Sequence, residues 1–249
     1  MSEINFDFVT QFLVRVFHSR QASAPSLTKA SGEFGERIDA EGWNYVNQLD
    51  VEPGGGTRPV SALSDASHQW SVRFGPRFID VNYQQVLKLE GSETQPSEPI
   101  SFQAFLDRAH QYLKEAIAVF PVTATRLATV RTGLVFSFDI PTVRQSLCTS
   151  PGSMPEPFEW DWRCAWKVQR SFDGRSENTN TIASVKGVEA NLGARSRDGL
   201  LITTDVNTVP ENDEPRFDLA ALAGFVKESP GWHRDIDSLL QATFNRFGA

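Results

Sequence analysis

Phe158-Glu159-Trp160-Asp161-Trp162-Arg163-Cys164-Ala165-Trp166-Lys167-Val168 sorts its side chains by parity. Phe158, Trp160, Trp162, Cys164, Trp166 and Val168 stand at even positions, while Glu159, Asp161, Arg163 and Lys167, followed by Gln169, stand at odd ones. Successive side chains of a strand point to opposite faces, so the stretch predicts a strand with one apolar and one solvated face. Three of the chain's six tryptophans share the apolar face. A ligand pocket mixes a few polar groups among apolar ones, and here the sorting is nearly complete, so the face reads first as packing against a core or a partner. The alternative is an aromatic cup of Trp160, Trp162 and Trp166, closed by residues 31–60, that holds a flat or cationic ligand.

The same period of two recurs along the chain. Ile4, Phe6, Phe8, Phe12, Val14 and Val16 alternate with polar residues and predict a long half-buried strand. Trp70, Val72 and Phe74, the turn Gly75-Pro76-Arg77, and then Ile79 through Leu89 predict two antiparallel strands. Further strands are expected over 128–138, 181–192 and 200–209. Ser101 can cap a helix whose apolar stripe is Phe102, Phe105, Leu106, Ala109, Leu113, Ala116, Ile117 and Phe120, ended by Pro121. Near the C-terminus, Asp218 caps a short helix and Ser229-Pro230 starts a second. Residues 19–68 lack a clean period and predict short helical or irregular pieces, with the most mobile loop at Gly54 to Gly56. The polar run 91–99 predicts a loop. The sum is an α+β protein with an antiparallel sheet of about seven strands packed against a central and a C-terminal helix. One domain over 1–249, or two joined halves over 1–120 and 121–249, both fit.

Composition bounds the function. A chain of 249 residues with 40% hydrophobic and 22% charged residues is long enough for a self-sufficient core. No window approaches the roughly 18 consecutive apolar residues of a membrane helix. The start Met1-Ser2-Glu3-Ile4-Asn5-Phe6-Asp7 is acidic where a signal peptide is basic, and the two cysteines make no disulfide scaffold, so a cytoplasmic setting is expected. A net charge of −7 without a basic cluster argues against nucleic acid.

No catalytic or metal motif stands out. His18, His68, His110 and His233 show no ligand spacing, and Cys148 and Cys164 form no C-x-x-C, so neither metal nor cofactor is expected. His110 flanks the apolar stripe of its helix. His233 and Asp237, four residues apart, read as a surface pair. Cys164 falls on the apolar strand face, and Cys148 is the only thiol placed to be exposed. The carboxylate pairs Glu159/Asp161 and Asp205/Asp213 can in principle do acid–base work, but the first shares a face with Arg163 and Lys167, as a solvated mixed-charge face does. The glycines 54–56 match neither a P-loop nor a dinucleotide loop.

Several pieces in order resemble a sporadically distributed family of uncharacterised prokaryotic proteins of about this length. They are the strand Phe6 to Val16, Val72-Arg-Phe-Gly-Pro-Arg-Phe-Ile-Asp-Val-Asn82, the helix Ser101 to Phe120, Arg131-Thr-Gly-Leu-Val-Phe-Ser-Phe-Asp-Ile-Pro141, Leu200 to Asn207, and Leu239-Leu-Gln-Ala-Thr-Phe244. Where that family carries Arg-Tyr-x-Asn after the Gly-Leu, this chain has Val135, Phe136 and Phe138. The resemblance implies an architecture and, through the family's patchy distribution, mobile-element or defence genes; it implies no activity. The leading expectation is a non-catalytic interaction protein acting through protein–protein contacts, with itself as a homodimer or with another protein, because aromatic residues make up 11% of the chain and are enriched in interface cores. A small-molecule module with the tryptophan pocket and a hydrolase of unrecognised type are the alternatives.

Overall fold

The computed structural model describes residues 3–51, 56–90, 93–148, 159–192 and 195–245. In chain order these form β1 (Phe8–His18), α1 (Ala24–Arg37), β2 (Asn44–Val51), β3 (Thr57–Ser64), β4 (Trp70–Gly75), β5 (Phe78–Tyr83), β6 (Leu87–Glu90), β7 (Glu93–Pro96), α2 (Phe102–Val119), β8 (Ala124–Val135), α3 (Ile140–Leu147), β9 (Asp161–Phe172), β10 (Arg175–Leu192), β11 (Arg195–Thr208) and α4 (Leu219–Phe244). Nine of the strands make one antiparallel sheet in the order β2-β3-β4-β5-β1-β8-β11-β10-β9, and β6 with β7 makes a separate hairpin. The fold is α+β as the alternation predicts, with nine strands in the main sheet instead of about seven.

Two segments expected to be irregular supply the extra strands: 19–68 gives β2 and β3 of the main sheet, and the run 91–99 gives β7 of the separate hairpin. Helix α1 buries Leu27, Ala30, Ser31, Phe34 and Gly35, a proper helical stripe, but three of the five are Ala, Ser or Gly and give no hydrophobic signal. Strand β2 is exposed on both faces, so nothing imposes alternation on it. The expected strand 79–89 divides, because the chain leaves β5 at Tyr83 and starts the β6–β7 hairpin. The glycines 54 and 55 lie outside the described residues.

Each half follows one plan. The chain runs through a central strand (β1 or β8), crosses by a helix to the sheet edge, meanders back to pair with its own central strand, and ends in a long helix. The two central strands pair with each other, with Leu13 opposite Val130. Turn chemistry fixes the meanders. Between Phe172 and Arg175 the two-residue loop Asp173-Gly174 has φ of 50° and 68°, the left-handed pair that a tight hairpin requires and that Asp-Gly adopts readily.

All four helices lie on one face of the sheet. Phe12, Val14 and Val16 of β1, Trp70, Val72 and Phe74 of β4, and Ile79, Val81 and Tyr83 of β5 point that way and are buried. Phe105 of α2 stacks on Trp70 at 5.7 Å and tilts against Phe12 at 5.6 Å. Helix α2 starts where expected, with the Ser101 hydroxyl accepting from the Ala104 amide. Helix α4 corrects the reading of two short C-terminal helices: it runs unbroken from Leu219 to Phe244 through Pro230. A proline normally breaks a helix interior. Here Phe225 and Val226 before it and Trp232 and Ile236 after it are buried together, and that burial holds both segments on one axis.

Candidate functional site

Strand β2 closes one edge of the sheet, and its only described strand neighbour is β3. Helix α1 lies beside it. The Ser31 and Ser61 hydroxyls meet at 2.7 Å and tie α1 to β3, while the Thr28 hydroxyl donates to Asn47 Oδ1 at 3.1 Å and ties it to β2. At Gly35 a side chain is impossible without movement, since a Cβ there would sit 2.0 Å from the Tyr45 hydroxyl oxygen. Opposite Leu49 stands Pro59, which has no N–H for the ladder.

Strand β2 exposes Asn44, Asn47 and Gln48 and, beside them, four large apolar side chains. Tyr45, Val46, Leu49 and Val51 are 55%, 44%, 67% and 73% exposed, and they are most of the large hydrophobic side chains exposed among the described residues. The strand's one charge, Asp50, is paired with Arg73 of β4 on the helix-free face. Between Leu27 and Thr28 of α1 and Leu49, Pro59 and Val60 runs a groove of about 710 Å³.

The sequence-derived tryptophan site lies on β9, the opposite edge, and the structure separates its members. Trp160 is buried with its indole against Gly187, where a Cβ would come within 2.6 Å of Nε1, and it lines a cleft of about 870 Å³ with Asp139, Arg144 and Lys186. Trp162 and Trp166 are half-buried on the helix face, their ring centroids 6.4 Å apart, and do not line that cleft. Residues 31–60 cannot close over them, because α1, β2 and β3 belong to the other end of the strand order.

A second feature, a buried polar network under α4, has no counterpart in the sequence reading. His233 and Asp237, expected at the surface, are both buried and face the sheet. The imidazole is held between the Thr204 hydroxyl (2.7 Å from Nδ1) and the Thr129 hydroxyl (3.1 Å from Nε2). Asp237 accepts from Arg131 Nη1 at 3.1 Å and from the Ile4 amide at 3.1 Å, and Arg131 Nη2 donates to the Ile4 carbonyl at 3.2 Å. The Arg131 guanidinium lies 5.1 Å from the Phe6 ring and 5.3 Å from Phe102. Burial pushes the His233 pKa well below the usual histidine value, so the ring is neutral, and pushes the Asp237 carboxyl up against the opposing pull of Arg131. The Arg131–Asp237 pair clamps the N-terminal segment to the core. Arg131 would have been legible only as a charge inside the alternating run of β8.

The other candidates are dispersed. Cys148 and Cys164 are half-buried, and burial raises the Cys148 thiol pKa, the opposite of what a nucleophile needs. His110 is half-buried on the flank of α2. Glu159 and Asp161 face solvent, and Asp205 is half-buried with its carboxyl raised by burial. Among the described residues no three His, Cys, Asp or Glu side chains are grouped to hold a metal, and no helix is long and apolar enough to cross a membrane. Compared with protein-family models and with curated proteins, the chain gives no match.

Proposed function

We infer that the chain is a non-catalytic interaction protein that docks protein along β2, in the first place a second copy of itself. The observation that carries this reading is the concentration of Tyr45, Val46, Leu49 and Val51 on one unpaired edge. Unpaired strand edges template further strands, and native proteins ordinarily blunt them with charge or proline. Strand β2 has no proline, and its one charge, Asp50, is engaged by Arg73. An antiparallel pairing with its own copy suits the strand, because the only charge in Asn44–Val51 is Asp50 and a two-fold axis elsewhere brings no like charges together. With the axis at Asn47, Tyr45 of one copy faces Leu49 of the other on the helix side, twice. An eight-residue ladder alone falls short of the roughly 1,000 Å² a stable interface buries, and the groove under α1 is where the remaining area is available.

Light scattering on the purified chain tests the reading. Twice 27.7 kDa is expected, falling to 27.7 kDa in Leu49→Lys with Tyr45→Lys. A wild-type chain that stays at 27.7 kDa up to about 0.1 mM, where even weak dimers populate, would end the self-association reading. The aromatic-pocket alternative has less to stand on, since Trp162 and Trp166 do not share the cleft that Trp160 lines.

A further inference from the structure

We propose that the cleft formed by the end of β1, the β4–β5 turn, the start of β8 and the segment after β11 binds a phosphate-type oxyanion, free or as the head of a small phosphate ester. The cleft measures about 310 Å³, at the lower end for small-molecule pockets, and Arg77 enters it from the β4–β5 turn and Arg126 from β8. In a chain of net charge −7 that convergence is notable in its own right. Among the described residues neither guanidinium is in an ion pair. Arg126 donates to the neutral Asn207 carboxamide at 2.9 Å, and its buried Nε has no partner. Its plane rests 4.6 Å from the Phe17 ring, which fixes the fork before any ligand arrives.

The surroundings sharpen the preference for an anion. Burial works against the charge of Arg126, Asp205 supports it, Arg15 opposes it and Glu211 and Asp213 support it more weakly; the net pull is downward, and an oxyanion at the cleft would offset it. His18, at the wall of the same cleft, is buried with both ring nitrogens unpartnered; the backbones of Arg20 and Phe78 approach the ring without reaching hydrogen-bond geometry. Of the residues lining the cleft, Arg77 and Arg126 face one carboxylate, the exposed Asp213. Arg77 also lines a neighbouring cleft of about 420 Å³ together with Arg58, which gives room for the organic part of an ester. The site is at the ends of the central strands, and it stands or falls independently of the β2 edge.

The test is calorimetric titration of the full chain with inorganic phosphate, and separately with glycerol 2-phosphate, at constant ionic strength set by chloride. Saturable binding with a Kd of about 1 mM or tighter is expected, weakened at least about tenfold in Arg77→Gln and unchanged in the remote Lys29→Gln. Arg77 is exposed on a turn, so its variant should fold; Arg126→Gln is the second variant, checked for folding by its thermal transition. Tighter binding of the ester than of phosphate assigns the site to a metabolite, and equal binding assigns it to the free ion. No saturation, equal loss in Lys29→Gln, or an oligonucleotide that binds while both phosphates fail would overturn the proposal.

Discussion

Under α2, the strands β1, β4 and β5 present Phe12, Trp70, Val72, Phe74 and Tyr83. Under α4, the strands β8 and β11 present Thr129, Arg131 and Thr204 to Ser229, His233 and Asp237. The two halves share a chain plan but not a way of closing the space beneath the long helix. The first is held by undirected apolar area, which tolerates repacking. The second adds to its own apolar cluster of Ile202, Val206, Phe225 and Trp232 a set of buried hydrogen bonds, and a half-satisfied buried network is worse than an apolar one. Their outer edges differ in the reverse sense. On β9 the helix-free face carries Asp161, Arg163, Lys167 and Gln169, whereas β2 at the other edge has Asp50 as its only charge and exposes Tyr45, Leu49 and Val51 on the helix side.

The largest effect should come from splitting the buried pair. Arg131→Met leaves Asp237 uncompensated and the Ile4 carbonyl without its donor, and should cost about 3–5 kcal/mol in urea unfolding. Combining it with Asp237→Leu should recover most of that loss, because no buried charge remains. Phe105→Ala in the first half should cost a similar amount, about 3–5 kcal/mol, and no single partner change should rescue it. If the double variant is no better than Arg131→Met, the pair is not the unit that holds the second half.

A smaller contrast lies at the two glycines that let an aromatic ring lock each edge. Gly187→Ala must displace the buried Trp160 indole, at about 1–3 kcal/mol, with a red shift of its fluorescence. Gly35→Ala collides with the hydroxyl end of Tyr45, a side chain 55% exposed, and comes within 2.9 Å of the buried Leu63 Cδ2, while Ala favours the helix over Gly by about 1 kcal/mol and offsets part of the cost. Its net effect should therefore be well below that of Gly187→Ala; equal costs would mean that Tyr45 is held as firmly as Trp160.

Acidification acts on both halves, through His18 of β1 and His233 of α4. His233 titrates far below 6.5 in the fold and His18 at about 4, so the unfolded chain binds protons that the fold refuses. Stability from these two groups is full above pH 6.5 and lost as pH falls from there toward 4, by at most about 1.4 kcal/mol per pH unit for each histidine. Asp237, Asp80 and Asp205 act in the opposite sense. Their raised pKa values make the fold bind protons first, which returns stability once pH drops into their range above 3.8. His233→Gln should flatten the decline below pH 6.5. An unchanged slope would place the sensitivity at His18 and at His110, whose pKa burial also lowers.

These contrasts explain what could be read from the residues. The strand at Trp160–Val168 and the helix from Ser101 were legible because a face of each meets the core, so burial prints its period on the sequence. Strand β2 carries apolar residues at 45, 46, 49 and 51, which fit neither period, since neither of its faces is buried. Helix α1 was hidden because close packing on β3 demands small residues, which look polar or neutral to a hydrophobicity pattern. His233 and Asp237 carry helical spacing and charge, and those are equally the marks of a surface pair. Only their partners Thr129, Thr204 and Arg131, about 30 to 110 residues away along the chain, show that the pair faces inward.

The smallest effect on stability and the largest on behaviour belong to the edges. Leu49→Lys changes an exposed side chain and should move the unfolding free energy by no more than about 0.5 kcal/mol, while it places a charge on the outer edge of β2. Lys167→Leu is the reciprocal change. It removes the exposed pair with Glu211, worth well under about 1 kcal/mol, and takes away one of the charges that guard β9. If charge is what distinguishes the edges, Leu49→Lys should dissociate the chain and Lys167→Leu should add a second mode of association, both read by sedimentation velocity. A Lys167→Leu chain that associates no more than wild type would mean that β9 is protected by something other than its charges, with α4 the element nearest to supply it through Asp235, Arg170 and Trp232.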